Sequence, residues 1–168
     1  MKLSLRKSEI SGFILASVLG TLFHFVYQWS GNNPVVGLFF PVNESVWEHL
    51  KLIFFPIIIT SIPEYCFSDI RSKCFACVKL SSALIGMAAT VTLFYTYTGI
   101  IRRNIDFVNI IIFFIAMGMA WLYSYKRLSS EKCAAISDWI CFIAILCLIL
   151  IFALSSVNPP DIALFHSP

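Results

Sequence analysis

Five apolar stretches constrain this chain more than any other feature. They lie near Ile10–Trp29, Ser45–Tyr65, Cys77–Ile100, Phe107–Tyr125 and Ala134–Val157 and run 19 to 24 residues each. A bilayer core is crossed by about 20 helical residues. Only 12% of the chain is charged, against roughly 25% in soluble domains, so water could not serve as solvent for these surfaces. Lipid can, provided every backbone polar group is satisfied within the chain, and unbroken apolar runs of this length do that as helices. The expected fold is all-α, an integral membrane bundle of five transmembrane helices. No linker or internal repeat divides residues 1–168, so a single domain is expected, with the lipid bilayer as its first partner. The chain has no basic stripe interleaved with stacking aromatics, which excludes a nucleic-acid-binding class.

The first stretch follows Lys2, Arg6 and Lys7, as a signal peptide would. It is longer than a signal core of about 7–15 residues, and His24 and Gln28 mark its far end without a small-residue cleavage site. It reads as a retained helix. Nine of the twelve Lys and Arg residues fall on the N-terminal side of such a bundle. The positive-inside rule then puts the N-terminus in the cytoplasm and the C-terminus outside, in a multi-pass protein of the cell membrane.

Small residues offer contact faces: Gly12, Ala16 and Gly20 in the first helix, Ser82 and Gly86 in the third, Ala116, Gly118 and Ala120 in the fourth. Pro56 predicts a kink near Phe55. Cys74 and Cys77 form a CxxC, with Cys66 and Cys133 expected near the same membrane face. On a reducing cytoplasmic side these read as small apolar fillers rather than as a redox or zinc site, and Cys141 and Cys147 read as packing residues. Lys79 and Asp138 are expected to pair, or Lys79 to snorkel.

Polar residues gather elsewhere. The loop at 30–43, SGNNPVVGLFFPVN, holds a Gly-Asn-Asn-Pro turn and then an apolar run too short to span. This predicts a re-entrant or interface-lying piece. PVNESVWEHLK follows. Ser45 and Glu48 have capping-box spacing, and Asn43 is an equally good cap. Helical spacing would put Glu44, Glu48 and Lys51 on one face, with Trp47 bordering it and His49 on the other flank. His24, near the end of the first helix, should lie at similar depth. Arg102 and Arg103 sit at the same end, against the basic trend.

Such a cluster is the default functional site of a membrane bundle. Glu44, Glu48, His24 and His49 are candidates for acid–base catalysis. Asn43, Trp47, Lys51, Arg102 and Arg103 are candidates for substrate binding, the arginines toward a phosphate headgroup. A divalent metal is the one cofactor these side chains suggest, with Glu44, Glu48 and His24 as ligands and His49 as an additional donor. The zincin pattern HExxH is absent.

The segments FHFVYQWSG and GLFFPVNESVWEHLK, with the C-terminal NPP and a later Phe and Pro, resemble a family of small bacterial multi-pass membrane proteins of unknown function. The resemblance covers most of the chain and implies one membrane domain, but no activity. Three functional classes stay open. One is a membrane-embedded enzyme acting on a lipid or lipid-linked substrate at an outward-facing polar pocket. A second binds or transports a small polar solute. The third is a non-catalytic membrane partner or sensor subunit.

Overall fold

A computed structural model describes residues 4–67, 74–130 and 137–166. Its elements are α1 (Leu5–Trp29), a one-turn α2 (Pro34–Gly37), α3 (Val46–Phe67), α4 (Phe75–Ile101), α5 (Asp106–Ser129), α6 (Asp138–Val157) and a 3-10 turn (Ala163–Phe165). The described residues contain no strand. Five of the helices, α1 and α3 to α6, are long and apolar enough to cross a membrane. The chain alternates direction, so the N-terminus, the end of α3, the start of α4, the end of α5 and the start of α6 share one end. The PVNESVWEHLK segment lies at the other, here called the motif end.

The bundle is arranged as lipid demands. Isoleucines and leucines of α6 such as Ile140, Ile143, Leu150 and Leu154 point outward, while Glu9, Lys51, Lys79, Ser82 and Ser124 are buried. α3 is the central helix. It packs on α1 and α4, and its Ile53, Phe54 and Ile57 are fully enclosed. α5 closes the group against α4 and α1, whereas α6 rests mainly on α4.

Small residues set the close approaches. A Cβ on Gly86 would lie 2.8 Å from the Ile53 side chain, and Ser82 Oγ donates to the Ala120 carbonyl at 2.6 Å. Ala116 and Ala120 are wholly buried. Gly118 differs: a Cβ there would meet nothing within 4 Å. Pro56 has no N–H to give the Leu52 carbonyl four residues before it. Gly20 of α1 lies against that freed oxygen, since a Cβ at Gly20 would come within 2.7 Å of it. The missing donor of one helix and the missing side chain of another therefore meet at one contact.

At the N-terminal end, Lys79 of α4 is enclosed by three other helices. Its Nζ lies 3.0 Å from Glu9 Oε1, 2.7 Å from Glu64 Oε2 and 2.8 Å from Ser124 Oγ. Ser124 Oγ in turn donates to Glu9 Oε1 at 2.7 Å. Burial of these charges is offset by direct pairing. Lys79 neither snorkels nor meets Asp138. Asp138 Oδ1 instead accepts the Cys77 N–H at 3.1 Å, at the start of α4 where helix donors lack partners.

The cysteine expectation needs correction. Cys77 and Cys141 form a disulfide, with Cα atoms 5.0 Å apart, that joins α4 to α6. Cys141 is thus a crosslink and not a packing residue. Cys74 is also disulfide-bonded, while Cys66 and Cys147 are free and exposed. Cys133 lies outside the described residues.

Candidate functional site

The motif end is organised by a cap that differs from the expected box. Asn43 Oδ1 accepts the Ser45 N–H at 2.9 Å, and Ser45 Oγ accepts the Glu48 N–H at 3.3 Å. Because Asn43 already holds the Ser45 donor, the Glu48 carboxylate reaches further back. It accepts the Val42 N–H at 3.0 Å. The helix therefore begins at Val46, and Glu44 stands before it on non-helical backbone.

That start separates the two glutamates. Glu48 and Lys51 turn inward, and Lys51 is 0% exposed. Its Nζ lies 2.8 Å from Glu48 Oε2, 2.9 Å from the Gly37 carbonyl and 2.6 Å from Ser156 Oγ. A fourth contact, to the Phe40 carbonyl, is longer at 3.4 Å. Three ammonium protons thus serve α3, the loop that carries α2, and α6. This ion pair is a staple for the loop. Ser156, which completes it, has no spacing signal in the sequence.

Glu44 turns the other way, toward α1. Its Oε1 lies 3.7 Å from His24 Nε2 and its Oε2 lies 3.4 Å from His49 Nε2. The two imidazole centroids are 5.5 Å apart. One donor atom from each of the three side chains falls within 4.8 Å of the others. The hydrogen bond from His49, assisted by the charge of both imidazoles, holds the Glu44 carboxyl below the usual carboxylate range, and partial burial opposes this only in part.

His49 Nδ1 is 2.9 Å from the Ser45 carbonyl. A carbonyl can only accept, so Nδ1 carries the proton and the ring is fixed with Nε2 toward Glu44. Beside these groups opens a cavity of about 490 Å³, lined by His24, Tyr27, Gln28, Asn32, Pro41, Val42, Asn43 and Glu44. His24, Tyr27 and Gln28 share one face of α1 through three- and four-residue spacing. Asn32 follows Gly31, and both adopt left-handed backbone, with φ of 60° and 69°. The Gly-Asn pair marks this turn in the sequence. Tyr27 has no comparable signal beyond its offset from His24.

The remaining candidates are spread out. Trp47 packs on Phe152 of α6 and on Phe165 of the 3-10 turn, with ring centroids 4.9 and 4.8 Å away. Arg102 and Arg103 are exposed at the turn from α4 to α5, where Arg102 takes left-handed backbone at φ 57°. Neither lines the cavity.

No curated protein and no solved structure matches this chain. A family model does, over residues 2–168, and the chain belongs to that family, a family of unknown function designated DUF6512.

Proposed function

We propose that this chain is a membrane-embedded enzyme acting on the headgroup of a lipid or lipid-linked substrate at the motif end of the bundle. One observation carries this reading: His24, Glu44 and His49, from α1, the preceding loop and α3, converge beside an open polar cavity. The cavity lies where α1 ends, the depth at which a lipid presents its headgroup. Glu44 faces both imidazoles, and either imidazole can exchange a proton with a substrate oxygen. Tyr27, Gln28, Asn32 and Asn43 supply hydrogen bonds for positioning. Beneath the site Ile53, Phe54 and Ile57 fill the interior, which favours chemistry at the mouth over passage of a solute. The distribution of basic residues supports a cytoplasmic N-terminus in the cell membrane, with the site outside.

The test is untargeted lipid mass spectrometry on a strain lacking the gene, complemented with wild type, His24→Ala or Glu44→Gln. The expected result is a lipid or lipid-linked species that accumulates on deletion and is cleared by wild type alone. The reading fails if deletion changes no such species, or if both variants clear it as wild type does.

A further inference from the structure

We infer that His24, Glu44 and His49 form a binding site for one divalent first-row transition ion of the zinc class. The inference deepens the reading just given, because it names a cofactor for the same cavity, and it shares that reading's residues.

The argument begins with His49. Its Nδ1 proton is committed to the Ser45 carbonyl at 2.9 Å. The ring so fixed points Nε2 at Glu44 Oε2, 3.4 Å away, while His24 Nε2 lies 3.7 Å from the other oxygen of the same carboxylate. Two imidazole nitrogens and a carboxylate thus converge from three separate elements. A backbone carbonyl holding the far nitrogen is also the outer-shell contact that orients a metal-bound histidine.

Spacing agrees. The two His–Glu separations, 3.7 and 3.4 Å, exceed the ordinary hydrogen-bond range of about 2.7–3.2 Å. Ligands held about 2.0–2.2 Å from a tetrahedral ion stand roughly 3.3–3.5 Å apart. No pair among the three donor atoms is wider than 4.8 Å, so small side-chain rotations complete the set. Two imidazole nitrogens among three donors select zinc-class ions over magnesium or calcium, which take oxygen. The three ligands come from separate elements and leave the cavity side free for water or a substrate oxygen. When bound, such an ion would lower the pKa of a bound water and polarise a substrate oxygen.

Glu48, the alternative carboxylate, is excluded by its own contacts. It is 2% exposed and engaged by Lys51, Ser156 and the Val42 N–H. Glu44 has no such ties; its side chain is 63% exposed and lines the cavity.

The test uses full-length protein in detergent micelles, stripped with chelator and titrated with zinc chloride or magnesium chloride. Content is read by elemental analysis and affinity by calorimetry. One zinc per chain is expected, with millimolar magnesium failing to displace it. His49→Ala and Glu44→Gln should each weaken zinc by more than about tenfold, and His24→Ala/His49→Ala should abolish stoichiometric binding. Circular dichroism on each variant separates loss of a ligand from loss of fold. The inference is overturned if folded wild type takes up no stoichiometric zinc, or if the folded double variant binds as wild type does. Zinc binding without lipid turnover would sustain this site and sink the enzymatic reading. Turnover that survives in metal-free protein would sustain the enzymatic reading and remove the ion from it as a cofactor.

Discussion

Replacing Lys51 by Met removes an ammonium while keeping most of its stem volume. Three acceptors then lose their donor: Glu48 Oε2 at 2.8 Å, the Gly37 carbonyl at 2.9 Å and Ser156 Oγ at 2.6 Å. The decisive loss is at Glu48, whose carboxylate stays buried with no counter-charge. Breaking a buried pair from one side costs about 3–5 kcal/mol. For a chain of this size each kcal/mol moves Tm by about 2–4 °C, so the expected drop is about 6–20 °C. The assay is scanning fluorimetry in one detergent at one scan rate. Glu48→Gln/Lys51→Met provides the control. With both charges gone only neutral groups remain buried, and the double variant should recover at least about 1 kcal/mol relative to Lys51→Met. Glu44 and the histidines do not touch Lys51, so zinc uptake by the folded double variant should persist. A Lys51→Met Tm within about 2 °C of wild type, or a double variant no more stable than the single, would refute the staple.

Other outcomes follow from the packing. Gly20→Ala places a Cβ 2.7 Å from the Leu52 carbonyl and 2.7 Å from Cζ of Phe113, and should cost about 1–3 kcal/mol by overpacking. Gly118→Ala meets nothing within 4 Å and should leave Tm unchanged or slightly raised, by the same fluorimetry. Lys79→Met leaves two buried carboxylates, Glu9 and Glu64, without their shared cation. It should be more disruptive than Lys51→Met, read as loss of monodisperse protein on gel filtration, whereas Ser124→Ala should cost only about 1–2 kcal/mol. The Cys77–Cys141 crosslink lies at the N-terminal end, which the proposed orientation places in the cytoplasm. Acid-trapped cells treated with a mass-tagged maleimide should therefore show both thiols reduced, with the disulfide forming on aerobic purification. Full protection of both in trapped cells would invert the proposed orientation.

Composition made the fold readable because lipid imposes a strong filter: few charges and five long apolar runs admit little else. Helix ends were less legible. α1 starts at Leu5, five residues before the apolar stretch, because Glu9 is drawn into the bundle by Lys79 and carries the polar first turns with it. No window of local sequence reveals a partner 70 residues away, although an acidic residue at each of two span ends beside a buried lysine was a usable hint. The cysteine pairing was hidden for the same reason, since Cys77 and Cys141 stand 64 positions apart. At the site, the depth argument brings His24 to the motif, and the structure sets it beside Glu44. Periodicity could not separate Glu44 from Glu48. Four-residue spacing means a shared face only inside a helix, and the Asn43 and Ser45 caps start α3 two residues after Glu44.

The order of synthesis gives the Lys51 staple a further meaning. Lys51 leaves the ribosome long before Ser156, which follows it by 105 residues. Until α6 arrives, the ammonium has the loop carbonyls and Glu48 but not the hydroxyl that fills its last position. α6 buries Cys141, Ile145 and Phe152 but turns Leu146, Leu150 and Leu154 outward, where lipid solvates them as well as the bundle would. Hydrogen bonding at its far end and the packing of Phe152 on Trp47, Phe54 and Phe55 hold that end of the last helix, as the Cys77–Cys141 crosslink holds the other. A nascent chain halted before α6 would display an incompletely coordinated cation within the membrane, a mark by which quality control could distinguish it from the mature bundle.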